Sequence, residues 1–151
     1  MTDKVRLLYI EDNEGIARLL QKRMERAGYS VDLASNGEMG LELSLQNTYD
    51  VIIVDYNMPG FNGMQVIQHL AERGAMPPTI MLTGTGNESI AVEALKQGAF
   101  DYVVKDIDGV YLDLLPSVIE QGLQNLQLKR DKQQAEKKLE QSEKYYRALI
   151  E

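Results

Sequence analysis

The sequence contains no cysteine, which excludes a disulfide framework and any thiolate metal site. It also lacks an apolar run near the roughly 18 residues that mark a membrane span, and its first residues, Met1-Thr2-Asp3-Lys4, have no apolar signal core. A soluble, cytoplasmic protein without a membrane partner is expected. Basic charge is scarce. Sixteen Lys and Arg stand against 23 Asp and Glu, a net charge of -7, which disfavours direct binding of nucleic acid or anionic lipid. The imbalance is uneven. Residues 129–151 carry seven basic and five acidic side chains, a net +2, so the first 128 residues carry -9. Glycine and proline are missing altogether after Gly122.

With 151 residues the chain suits one domain plus an extension, and a domain of this size buries roughly two-thirds of the surface its unfolded chain exposes. The stretch that organises it is Val51-Ile52-Ile53-Val54-Asp55 followed by Tyr56-Asn57-Met58-Pro59-Gly60. Four consecutive branched aliphatics suit a strand buried on both faces, as in a parallel sheet flanked by helices. Asp55 then stands at the carboxyl end of that strand. A carboxylate there is costly unless it caps something or its charge is used.

Further strands are expected at Arg6–Ile10, Val31–Ala34, Thr79–Leu82 ending on Thr83, and Tyr102–Val104 ending on Lys105. Between them, helical spacing places Ile16, Leu19, Leu20 and Met24 on one helix that Gly28 stops. Asn36 is set to cap a helix Gly37–Leu45, Met64–Arg73 closes at Gly74, and Ser89–Gln97 closes at Gly98. Five strands alternating with helices predict an α/β fold, a parallel sheet with helices on both faces joined by right-handed crossovers.

Ligands bind such sheets beyond the carboxyl ends of the strands. The residues at those ends are Glu11 and Asp12, Asp55, Thr83 and Lys105. Paired carboxylates with a carbonyl and waters suit Mg²⁺, while a hydroxyl and a lysine suit the oxygens of a phosphoryl group. One carboxylate could then be the nucleophile that becomes an aspartyl phosphate. His69, the single histidine, is expected on a solvated helix face and receives no role. Gly84-Thr85-Gly86 lacks the G-x-G-x-x-G pattern and follows the fourth strand, not the first, so a dinucleotide site is not supported.

Glu11-Asp12, Asp55 with Met58-Pro59 and Gly63, Thr83, and Tyr102 three residues before Lys105 together resemble the receiver domain of two-component response regulators, over about residues 4–127. The resemblance implies a flavodoxin-like sheet of order 2-1-3-4-5 and Asp55 as phosphoacceptor. It implies Mg²⁺ ligated by Asp12, Asp55 and the Asn57 carbonyl, with Glu11 acting through the metal's waters. Lys105 and Thr83 would meet phosphoryl oxygens, Tyr102 would rotate inward as Thr83 moves, and Asn57 and Thr85 would tune the phosphoryl lifetime. The implied donor is a histidine kinase or histidine phosphotransfer protein, and the implied chemistry is that of a signalling module and not a turnover enzyme. One departure stands out. Asp106 occupies the place after Lys105 where the family usually has a proline joined by a cis peptide, so the loop there is expected to take another path.

An alternative is a Mg²⁺-dependent phosphatase with an aspartyl-phosphate intermediate. It shares the acid after a buried strand, but such enzymes carry a second acid two residues on, where this chain has Asn57.

Beyond the receiver-like part, Gly109–Leu115 is expected to form a short apolar turn, with Pro116 near the start of the next helix. Ile119, Gly122, Leu123 and Leu126 would pack that helix on the sheet. Leu128, Lys132, Ala135, Leu139, Ser142, Tyr146 and Leu149 fall at steps of four and three, a heptad seam. They predict a continuous helix of roughly 35 residues, about 50 Å, with residues 128–151 as a coiled-coil linker that dimerises in parallel. Leu139–Glu151 resembles the opening of a PAS sensory domain.

Overall fold

The computed structural model describes residues 3–151, so Met1 and Thr2 of the polar amino terminus lie outside the described residues. Five strands, β1 (Arg6–Ile10), β2 (Ser30–Ala34), β3 (Val51–Asp55), β4 (Thr79–Thr83) and β5 (Asp101–Val104), alternate with five helices. These are α1 (Glu14–Arg26), α2 (Gly37–Gln46), α3 (Gly63–Glu72), α4 (Glu88–Lys96) and α5 (Val110–Ile150). The sheet is wholly parallel, in the order β2-β1-β3-β4-β5. Chain order reverses between β1 and β3, so the crevice at their carboxyl ends is the place such sheets offer a ligand.

The aliphatic run in β3 is buried along its whole length, as its place at the centre of the sheet requires. Strand alternation sorts the core into two layers. Leu7, Tyr9, Val51, Ile53, Ile80, Leu82 and Val103 pack against α1 and α5, while Leu8, Ile52, Val54 and Met81 pack against α2, α3 and α4. Asn13, Asn36 and Asn62 accept hydrogen bonds from the first turns of α1, α2 and α3, and Gly28, Gly74 and Gly98 follow helix ends with positive φ. Leu19 departs from expectation. It is half exposed on α1, whose buried face is made by Ala17, Leu20 and Met24.

Close packing brings α3 to the end of β3. A Cβ on Gly63 would lie 2.6 Å from the Asp55 carbonyl oxygen and 2.8 Å from the Tyr56 Cα, distances no side chain tolerates. Since both neighbours are backbone, Gly63→Ala is expected to cost about 1–3 kcal/mol. Thermal unfolding checks this, with a fall of about 2–4 °C in Tm per kcal/mol.

The largest correction concerns α5. It begins at Val110, six residues before Pro116, which lies inside it, and it runs 41 residues, about 60 Å. The expected turn at Gly109–Leu115 is instead its first turns. Asp106 is the reason. Its carboxylate accepts from the Val110 and Tyr111 N–H groups at 3.0 and 2.9 Å, and Gly109 (φ 81°) makes the turn between. These bonds hold the Asp106 carboxyl below its usual pKa. Burial of Tyr111, Leu112 and Leu115 then offsets the bond lost at Pro116. Farther along, α5 is tied down by the Tyr29 hydroxyl donating to Glu120 at 2.8 Å and by an Arg23–Asp113 ion pair. Ile119 and Gly122 are buried and Leu123 packs against the core, but from residue 127 onward every residue is exposed. No helix among the described residues is long and apolar enough to cross a membrane.

Candidate phosphoryl and metal site

Glu11 extends β1 by one residue, since its N–H donates to the Ala34 carbonyl at 3.0 Å. It therefore shares a face with Leu7 and Tyr9, and the same alternation puts Asp55 on the face of Ile53 and Lys105 on that of Val103. These three meet. Lys105 Nζ lies 3.1 Å from Asp55 Oδ1 and 3.3 Å from Glu11 Oε1. The Glu11 and Asp55 side chains are only 1% and 3% exposed. Asp12, at the start of the loop into α1, is exposed, and one oxygen from each of Glu11, Asp12 and Asp55 falls within 4.8 Å of the others.

The charges explain one another. Burial, and then the neighbouring Asp55, push the Glu11 carboxyl up to about 8, against the opposing pull of Lys105. Burial alone would lower Lys105, but Asp55 and Glu11 outweigh it and raise the ammonium above its ordinary value. With both acids ionised, Glu11 and Asp55 outweigh the single lysine, and Glu11 Oε2 has no hydrogen-bond partner. Such a donor set fits a hard divalent cation such as Mg²⁺.

Asn57 lies exposed in the loop after β3. That loop is closed by the Gly63 N–H donating to the Tyr56 carbonyl at 3.1 Å, and by Asn62 and Gln65, whose side chains accept from one another's backbone at 3.0 and 2.9 Å. Thr83 is buried at the end of β4, and its carbonyl accepts from the Lys105 N–H at 2.7 Å. Its side chain alternates to the face of Met81, opposite to that of Asp55 and Lys105. Tyr102, paired with Met81 across the ladder, shares that second face and packs against its core. The expected residues thus divide in two. Glu11, Asp12, Asp55 and Lys105 make the charged cluster, while Thr83 and Tyr102 lie on the α3–α4 side of the same edge. Among the described residues no peptide bond is cis, so the bond after Lys105 is trans. His69 is exposed, with Nδ1 2.8 Å from the Gln65 carbonyl oxygen.

A profile described as response regulator receiver domain matches residues 7–115. The chain belongs to this family. It is 38% identical over 104 residues to transcriptional regulatory protein ResD of Bacillus subtilis, covering 69% of this chain and 43% of ResD. It is 31% identical over 131 residues to regulatory protein AtoC of Escherichia coli, covering 87% of this chain and 28% of AtoC. This receiver chain therefore spans less than half the length of either relative. A solved receiver domain from Clostridium thermocellum superposes with a TM-score of 0.73 at 28% identity, over 82% of this chain and 98% of that one. Receiver domains of this family are signalling proteins and not turnover enzymes.

Three further residues bear on the receiver's site. Asp106 fixes where α5 starts, one residue from Lys105, and a capping residue four positions before an apolar helical stripe was the available clue. Tyr111, in the first turn of α5, is buried, and burial raises its phenol. Tyr9 is wholly buried in β1, and its hydroxyl has no partner. A groove of about 650 Å³ lies at the opposite edge of the sheet, between Asp50, Leu70, Arg73 and Leu126. It is remote from the carboxylates and takes no part in their chemistry.

Proposed function

We infer that this receiver accepts a phosphoryl group on Asp55 from a histidine kinase or histidine phosphotransfer protein. The observation that carries the reading is the meeting of Asp55, Glu11 and Lys105 beside Asp12 at one strand edge. Asp12, Asp55 and the Asn57 carbonyl would hold Mg²⁺, with Glu11 facing the metal's waters, and the bound ion would supply charge neutralisation for the acids and for a phosphoryl oxygen. An Asp55 oxygen attacks phosphorus, the bond to the donor's imidazole nitrogen breaks, and that nitrogen keeps the electron pair. Lys105 turns from the carboxylates to a phosphoryl oxygen. Thr83 follows another, and Tyr102 moves into the space beside it, a two-state switch. Asn57 and Thr85, flanking the site, set how long the group survives.

Residues 1–127 form the receiver and residues 128–151 a linker. Its exposed seam, with Leu128, Leu139, Tyr146 and Leu149 over 60% exposed, pairs with a second copy as a parallel coiled coil. It carries the switch to a downstream PAS-like module. Sedimentation is expected to show a dimer, strengthened by phosphorylation. A monomer in both states would remove the linker part of the reading. Incubation with a small phosphoryl donor and Mg²⁺ tests the site itself. One phosphoryl group per chain is expected, whereas repeated hydrolysis of phosphate esters would favour a phosphatase.

A further inference from the structure

Written as heptads abcdefg, the seam of α5 places Lys132, Leu139 and Tyr146 at a, and Leu128, Ala135, Ser142 and Leu149 at d. All of these side chains are exposed. Leu128 stands two residues, about 200° round the helix, from Leu126, which lies on the face turned to the domain. The seam therefore looks away from its own receiver, and a second helix has room to lie along it.

The charges that flank the seam are not used within the chain. From residue 127 onward the one ion pair among the described residues is Lys144–Glu140 at 3.7 Å, at f and b, on the outer side of the helix. Lys138 at g and Glu143 at e make none, nor do Lys132 and Glu136, although these two stand i,i+4. Orientation decides what they meet. In a parallel, in-register pair each g residue faces an e residue of the next heptad in the other helix, so Lys138 faces Glu143 of the second copy on both sides of the seam, and Tyr145 faces Ile150. Asp131 there faces Glu136, and Lys132 leans out of the core toward Asp131 of the second copy. An antiparallel pair that covers Leu139, Tyr146 and Leu149 with seam residues sets e against e, which brings Glu143 opposite Glu136 or another Glu143. Lys132 also limits the number of strands, because each added helix puts a further ammonium into the same core layer.

We propose that the partner of the linker is one second copy of this chain, parallel and in register, selected by Lys138–Glu143 pairs on both sides and by Lys132 in the core. This rests on the proposed reading of residues 128–151 as a dimerising linker, and it names what fixes the orientation, register and number of strands. The apolar layers at Leu139, Tyr146 and Leu149 supply attraction, and the charges disfavour the other arrangements.

Sedimentation equilibrium of the full chain tests it, with Lys138→Glu, Glu143→Lys and the two combined. Each single reversal turns both attractive pairs of the dimer into repulsive ones and is expected to weaken the Kd by about tenfold. The combined variant inverts the pairs without breaking them and should return to within about threefold of wild type. A combined variant as weak as either single one, or a tighter dimer from Glu143→Lys alone, would overturn the pairing. Lys132→Leu is expected to tighten association by about tenfold or more and to admit trimers, whereas unchanged or weaker association would remove Lys132 from the core. Since the chain has no cysteine, Ala135→Cys gives a second readout. Mild oxidation should join two copies through that d layer, and a sedimenting dimer that does not crosslink would overturn the register while leaving a dimerising linker. A wild type that stays monomeric at every concentration, with and without a phosphoryl donor, would instead sink the linker reading itself.

Discussion

Asp55→Asn is expected to abolish phosphoryl labelling while leaving the fold intact. The amide keeps the shape of the carboxylate and still accepts from Lys105 Nζ, 3.1 Å from Oδ1 in the wild type, so packing is preserved. It cannot attack phosphorus, because the amide oxygen is a far weaker nucleophile than a carboxylate. Label should fall from about one group per chain to background, a change of about a hundredfold or more for loss of the nucleophile itself. Stability should not fall with it. Removing one of two buried acids relieves the repulsion that raises Glu11, so Tm at pH 8 is expected to hold or rise.

The second large effect is a dependence of stability on pH in the metal-free protein. Glu11 has an ordinary carboxyl value of 4.5 when unfolded and is raised to about 8 when folded. Between those values the folded state binds more protons than the unfolded one, so stability must fall as pH rises. The contribution is fully present below about 4.5 and is lost as pH passes 8, on the order of a few kcal/mol. Burial is the main cause, so a neutral isostere should remove it. Glu11→Gln is expected to flatten this part of the profile and to raise Tm at pH 8 by several degrees, on the order of 5 °C or more. Added Mg²⁺ should oppose the loss in the wild type, since it favours the ionised cluster. Urea unfolding from pH 5 to 9 checks each part, and a wild-type profile already flat without metal would refute the account of Glu11.

The sheet was legible in the sequence because its signals are local. The aliphatic runs of β1, β3 and β4 end abruptly on Glu11, Asp55 and Thr83, and Gly28, Gly74 and Gly98 end helices in left-handed geometry that side chains resist. Knowing that strands run parallel is enough to bring their last residues to one edge, so the charged cluster was legible too. What could not be read was which face each side chain leaves by once the ladders are in register. That is why Thr83 and Tyr102 stand on the α3–α4 side of the edge that Asp55 and Lys105 share. The start of α5 at Val110 escapes the sequence for a different reason. Pro116 is a strong local cue for a helix start, but Asp106 binds amides four and five residues ahead, and the burial of Tyr111, Leu112 and Leu115 is a tertiary effect. Leu19 shows the limit of periodicity: a spacing of three or four residues selects a broad face, and only part of that face meets the sheet.

Position 55 can be interrogated directly, because an acyl phosphate is reduced by borohydride to an alcohol whereas an unmodified carboxylate is not. After treatment with a small phosphoryl donor and Mg²⁺, peptide mass spectrometry of the reduced protein should find homoserine in place of Asp55 in Val51–Gly60. Reduction at another acid, or a stable label on any residue with Asp55 unchanged, would contradict the assignment of this edge as the phosphoryl site.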